Sequence, residues 1–368
     1  MTGNSFGKML KITTWGESHG EAVGVVIDGV PAGLPLDDND IQKELDLRKP
    51  GESDVSSSRK EQDKAKILSG VFEGKTLGTP LSIMIENKDV DSEPYESIKS
   101  KPRPGHADLT YELKYGHIDY RGGGRASGRE TVGRVAAGAI AKKLLANQDI
   151  EVIGHTIEAA GVSLDKRVDP IEIKKISRSN EMRCADPETA EKMKENIIET
   201  QEAGDSTGGI VELIAVNVPP GLGNPVFEKL EAKIGEALLS IGAVKGIEIG
   251  LGFESARHKG SEVNDEFELL GGRVVPKTNN AGGVLGGIST GAPIIVRIAV
   301  KPTSSISKPQ KTVDLESMKE TEIELSGRHD PNICPRIVPV AEAMLSLVLA
   351  DMMMQAGKIN PDKFEGAS

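Results

Sequence analysis

Apolar residues recur at steps of three and four along one stretch of the chain. Val132, Val135, Ala136, Ala139, Ile140 and Leu144 share one face of a 3.6-residue period, which predicts a helix packed inward. Ser127 and Glu130 stand just ahead of it at the spacing of a capping box, so the helix is expected to start there. A second long apolar helix is expected over residues 339–355, and shorter helical patterns cover 41–47 and 226–239. Elsewhere the period drops to two. "LSIMIEN" from Leu81 and "IIVRIAVKP" from Ile294 alternate as half-buried strands, and the apolar runs 23–27 and 210–218 also read as strands. Residues 151–204 end in a helix with Asp186 as N-cap, Pro187 in the first helical position and a stop near Gly204.

These elements repeat. "VPAGL" at Val30 to Leu34 returns as "VPPGL" at Val218 to Leu222, each after a strand-like run and before a helical one. Gly70, Gly74, Gly78 and Pro80 match Gly283, Gly287, Gly291 and Pro293 at one offset of 213, each set reading as a hairpin that leads into an alternating strand. Both halves then close on a Gly-Arg pair (Gly124-Arg125; Gly327-Arg328), a further arginine (Arg129; Arg336) and a long apolar helix. The pattern describes an α+β chain: a duplicated strand, helix, hairpin, helix unit, with pseudo-repeats roughly at 7–146 and 205–356, forming a single domain over 1–368. Two-layer packing of helices on sheets around a shared core is expected.

Composition narrows the function. A net charge of −11 and 3% aromatic residues speak against a nucleic-acid surface, including an arginine-glycine RNA-binding reading of "RGGGR". No uninterrupted apolar run reaches the roughly 18 residues of a membrane span, and residues 1–14 carry no secretory apolar region. A cytoplasmic protein with no membrane partner is expected. Cys184 and Cys334 have no second thiol or histidine at metal spacing, so no metal site is expected.

"YRGGGRASGRET" holds the clearest candidate chemistry. Gly122, Gly123 and Gly124 let backbone N–H groups approach a ligand, a helix start follows, and Arg125 and Arg129 add planar charged forks beside it, which together suit an anion. The other reading of this stretch is a flexible loop with solvated arginines. "WGESHG" places Ser18 and His19 in a polar turn, and "RPGHAD" presents His106 between Arg103 and Asp108. "GRHDP" adds Arg328, His329 and Asp330, with Arg336 after it, and "KPTSS" offers Lys301 beside the hydroxyls of Thr303, Ser304 and Ser305. "GVFEGKT" is no P-loop, because its glycines are four apart and it lies in an expected hairpin; G-x-G-x-x-G is absent. The sum is a cationic, polar pocket for a small, multiply anionic substrate.

In this order, "GESHG", "RPGHAD", "YRGGGRASGRET", "NNAGGVLGGIS", "KPTSSI" and "GRHDP" resemble the chorismate synthase family over essentially the whole chain. The resemblance implies a lyase of the shikimate pathway, on the route to aromatic amino acids. It removes phosphate from 5-enolpyruvylshikimate 3-phosphate by anti 1,4-elimination and requires reduced FMN (FMNH2) without net redox change. It also implies a homotetramer whose subunit is a β-α-β sandwich with internal pseudo-symmetry. By the same resemblance His19 protonates the departing phosphate, His106 protonates or polarises the flavin near N1, and Asp330 assists flavin N5 in taking the C6 proton. Ser18, Arg48, Arg129 and Arg336 would hold the substrate. Arg125, Ala126, Ser127, Gly242, Ala243, Gly286, Lys301, Pro302, Thr303, Ser304, Ser305 and Arg328 would line the flavin.

The chain departs from the family pattern after "LRKPG", where Asp54 stands at a position expected to be basic, with Arg59 or Lys60 as the candidate replacement. No extra domain or nicotinamide (NADP) fingerprint accompanies these motifs, so reduced flavin is expected from an external flavin reductase. The long polar stretch 87–105 is expected to act as a lid.

Overall fold

The computed structural model describes residues 3–49, 63–88, 92–325 and 329–366. Asp54, Arg59, Lys60 and Arg328 therefore lie outside the described residues.

Period-two alternation builds two antiparallel five-stranded sheets. In the first, the strands run side by side in the order Ser5–Phe6, Lys11–Trp15, Ala22–Asp28, Leu81–Glu86 and Ala65–Ser69. In the second the order is Val244–Ile249, Ile294–Val300, Gly209–Val216, Glu151–Ala159 and Val162–Ser163. Register puts like with like: Val25 faces Ile83 in the first sheet, and Leu213 faces Val296 in the second, so every second residue joins one buried face.

The layers number three where the hydrophobic pattern alone suggested two. Two long helices, Thr131–Ala146 and Cys334–Gln355, pack on each other and fill the space between the sheets. The apolar stripe Val132, Val135, Ala136, Ile140 and Leu144 is completely or almost completely buried, as its period requires. At the crossing, Gly138 faces Ala343 so closely that a Cβ on Gly138 would sit 2.3 Å from the Ala343 Cβ. Glycine is thus demanded by contact, since its φ is ordinary.

Cys334–Gln355 begins five residues earlier than expected and holds Pro339 in its interior. It also corrects the view that nothing in the chain could span a membrane: over 18 residues its mean hydropathy is 1.8, so it is long and apolar enough. Here that apolar window is buried throughout between the sheets, and the two acidic residues of the helix are paired. Glu342 meets Lys142 at 2.7 Å and the Gly154 N–H at 2.9 Å, and Asp351 accepts from the Met9 and Leu10 N–H groups at 2.7 and 2.9 Å.

The two halves make the same contacts. In the first, the strand Ala22–Asp28, the helix Asp38–Arg48, the hairpin of Val71–Phe72 with Lys75–Thr76, the strand Leu81–Glu86 and the helix Thr131–Ala146 follow in that order. In the second, the same order runs through Gly209–Val216, Leu230–Leu239, Val284–Leu285 with Ile288–Ser289, Ile294–Val300 and Cys334–Gln355. The Thr76 hydroxyl donates to the Pro31 carbonyl at 2.6 Å and accepts from the Leu34 N–H at 2.9 Å; Ser289 does the same with Pro219 at 2.7 Å and Leu222 at 2.8 Å. A hairpin hydroxyl thus fastens each "VPxGL" turn.

One local expectation fails. Ser127 accepts from the Arg129 N–H at 3.2 Å and starts a 3-10 turn, while the Glu130 carboxylate turns to the Thr14 hydroxyl and to Arg134, both at 2.8 Å. Glu130 is buried, and these partners replace the reciprocal bond of a capping box.

Substituting Gly138→Val should force the central helices apart and destabilise the protein by roughly 1–3 kcal/mol. Gly235→Ala, in the helix Leu230–Leu239 with open space at its Cβ position, should instead stabilise it by about 0.4–1 kcal/mol. Denaturant titration of both variants checks the pair, and equal effects would contradict the packing described.

Candidate active site

Where the loops of both halves meet, they enclose a cavity of about 960 Å3. That is at the upper end of the roughly 300–1,000 Å3 typical of ligand pockets, so it has room for more than one small molecule. Both central helices start at its wall: Thr131 and Arg134 line it from one, Ile333, Arg336 and Ile337 from the other. Their free N–H groups bring partial positive charge to the same space. Seven arginine or lysine and five acidic side chains are among the lining residues, a local excess of positive charge in a chain of net −11.

Three of the arginines surround one end. Arg48, the last residue of its helix, donates to Asp63 at 2.9 Å, to the Thr131 hydroxyl at 3.1 Å and to the Gly128 carbonyl at 3.0 Å. Arg129 pairs with the other oxygen of Asp63 and donates to Asn87 Oδ1 at 2.8 Å and the Glu86 carbonyl at 3.1 Å. Arg336 pairs with Asp330. Burial pushes the Arg48 guanidinium down to about 10, and the nearby Arg336 and Arg129 add to this while Asp63 opposes it. Arg48 stays charged at neutral pH, held in a cluster of like charges that an anion would relieve.

The two loop histidines both line the cavity. The His19 Nδ1 is 2.8 Å from the Ser92 hydroxyl, and its ring meets Tyr95 edge-on at 5.2 Å. Gly122, at φ +66°, packs against it: a Cβ there would come within 2.4 Å of His19 Cδ2 and 2.6 Å of Ser18 Oγ. His106 Nε2 lies 2.8 Å from the Ser305 hydroxyl and Nδ1 3.1 Å from the Pro104 carbonyl, so Nδ1 carries the proton in the neutral ring. Burial, and then the positive charge of Arg103, lower its pKa below the ordinary 6.5.

The lining next to His106 is polar. Lys301 meets Ser304 and the Gly105 carbonyl, and its pKa is lowered by burial and by Lys245. Gly242 and Ala243 also line the cavity, and the buried Thr303 hydroxyl has no hydrogen-bond partner among the described residues.

The structure thus brings together seventeen of the residues singled out from sequence. Gly286 is not among the lining residues; it sits at φ +60° in the turn of the hairpin Val284–Leu285 with Ile288–Ser289. Arg125 lines the cavity, but its fork is turned into the protein. It donates to the Gly16 and Thr14 carbonyls, both at 3.1 Å, and to the Thr14 hydroxyl, so the reading of an open anion fork does not hold for it. Asp63 and Tyr95 complete the wall unanticipated. Asp63 belongs to no motif, whereas Arg103 stood inside "RPGHAD" beside His106.

A sequence model described as chorismate synthase matches residues 10–354. The chain belongs to the chorismate synthase family. It is 57% identical over 362 residues to a chorismate synthase from Methanococcoides burtonii, covering 98% of this chain and 99% of that one. With a chorismate synthase from Methanothermobacter thermautotrophicus it shares 54% over 365 residues, covering 98% and 96%. A solved structure described as "Crystal Structure of Chorismate Synthase" superposes with a TM-score of 0.77 at 34% identity, over 97% of this chain and 95% of that one. Members of the chorismate synthase family are carbon–oxygen lyases that form chorismate in the shikimate pathway.

Gly122→Ala should drive a methyl group into His19 and Ser18 and lower turnover by about tenfold or more. His106 should titrate below 6.5, remaining neutral at pH 7, which 13C-labelled imidazole NMR would show. The sign follows from the depressed value: its contribution to folding stability is present above pH 6.5 and is lost as pH falls through the folded-state value. A midpoint at or above 6.5 would contradict the geometry around the ring.

Proposed function

We propose that this chain converts 5-enolpyruvylshikimate 3-phosphate to chorismate by anti 1,4-elimination of phosphate, with reduced FMN required and no net redox change. The observation that carries this reading is one cavity holding His19, His106 and Asp330 together with a three-arginine cluster at the starts of both central helices. A substrate bearing a phosphate and carboxylates matches that cluster in charge and number.

The polar side fits a flavin. The partnerless Thr303 hydroxyl, the open space in front of Gly242, the Lys301 cation and the hydroxyls of Ser304 and Ser305 would hold it, with the backbone of 125–127. When bound, the reduced flavin would supply electron density that stabilises the electron deficiency developing on the ring as phosphate leaves.

The protein's own groups bind, orient and move protons. Arg48, Arg129 and Arg336 clamp the anionic groups, with Ser18 beside them. The Ser92 hydroxyl, 2.8 Å from His19 Nδ1, fixes the ring, and as an imidazolium His19 would give its Nε2 proton to the departing phosphate oxygen. Asp330, paired with Arg336, would assist the loss of the C6 proton, and His106, beside Ser305, would hold and polarise the edge of a bound flavin. In this reading the chain is one domain built by duplication. It works as a cytoplasmic homotetramer and depends on a separate reductase for its flavin.

The test is anaerobic incubation with chemically reduced FMN and 5-enolpyruvylshikimate 3-phosphate. Phosphate and chorismate should appear in equal amounts, and His19→Ala should cut the rate by about 10²-fold or more. Arg48→Ala should raise KM substantially, and an unchanged KM would remove Arg48 from the clamp. Flavin binding with no product from the parent protein would overturn the assignment.

A further inference from the structure

Arg103 is almost fully buried, at 8% exposure, and its guanidinium reaches three ways. Nε and Nη2 grip the two Asp108 oxygens at 2.8 and 2.7 Å, while Nη2 also donates to the Gly122 carbonyl at 2.6 Å. The guanidinium carbon stands 5.4 Å from the centre of the Tyr95 ring. Gly122 and Tyr95 are the two neighbours that press on the His19 ring.

The same pair closes the turn that carries the other histidine. Arg103 N–H also donates to Asp108 at 2.9 Å, and His106 N–H donates back to the Arg103 carbonyl at 3.2 Å, so residues 103–108 form a stapled loop with His106 inside. The charged groups facing the His106 ring are Arg103, Asp108 and Lys301. Two histidines far apart in sequence therefore share one support.

We propose that Arg103, anchored by Asp108, is a positioning residue that holds His19 and His106 in a single fixed arrangement, through the Gly122 carbonyl on one side and the 103–108 staple on the other. The proposal rests on the chorismate-forming reading of those histidines. A bidentate fork with a third bond to a loop carbonyl is a task that lysine cannot perform, although it keeps the charge.

Charge and geometry can therefore be separated. In Arg103→Lys, kcat for chorismate should fall about tenfold or more with KM changed far less, while the NMR titration midpoint of His106 stays near that of the parent. In Arg103→Gln the same loss of kcat should come with a midpoint moved upward, because a neighbouring cation has gone. Asp108→Asn should move the midpoint the other way, since its carboxylate favours the protonated ring.

A kcat within twofold of the parent in Arg103→Lys, or an unmoved midpoint in Arg103→Gln, overturns the proposal. If thermal melting shows that Arg103→Gln does not fold, Asp108→Asn decides, and a midpoint that fails to fall overturns it. Absence of chorismate formation by the parent protein would defeat the functional reading instead, and the midpoints would still report whether the support exists.

Discussion

Everything in this fold depends on the contact of the two central helices. Gly138 lets the helix Thr131–Ala146 lie against Ala343 at a distance that no other residue permits, and each helix then carries one sheet on its outer side. The close approach also decides where the helices begin. Because both start at one cavity, their unpaired N–H groups converge there, and the last residues before or within the first turn, Arg129 and Arg336, point charge into the same space. The binding site is thus a consequence of core packing, placed at the seam between two halves that make matching contacts.

The polar groups buried around this seam divide into two kinds. Glu342 and Asp351 are each surrounded by donors from several segments, so their charges hold the sandwich together and leave nothing for a ligand. Asp63 differs. One carboxylate sits between Arg48 and Arg129 at the cavity wall and ties two of the three clustered arginines together. The buried acids thus differ in where they stand, in the core for Glu342 and Asp351 and at the cavity for Asp63.

Legibility in the sequence followed the same division. The helix 131–146, the hairpins and the strands could be read because periodicity and glycine spacing report backbone conformation and burial directly. The site could be read as a set of loop motifs, because the residues that form it come in short runs such as "RPGHAD" and "KPTSS". Direction could not. Arg125 looks like an anion fork in sequence, yet Thr14 and Gly16 capture its guanidinium, and Glu130 leaves its cap for Thr14 and Arg134. Both errors come from partners more than a hundred residues away or outside the local spacing rule. Asp63 was invisible for a related reason: a lone aspartate at φ +45° in a polar stretch has no pattern to mark it, and only the fold puts it between two arginines.

The arginine cluster is the part of the cavity whose chemistry best suits an anion. Burial, with Arg336 and Arg129 nearby, lowers the Arg48 pKa, and Asp63 opposes the shift. Several guanidinium forks in one place suit a ligand that carries more than one carboxylate or phosphate group. The geometry is set before binding, because Arg48 and Arg129 are tied by carbonyls, hydroxyls and Asn87 as well as by Asp63. Little side-chain ordering then remains to oppose association with an anionic ligand.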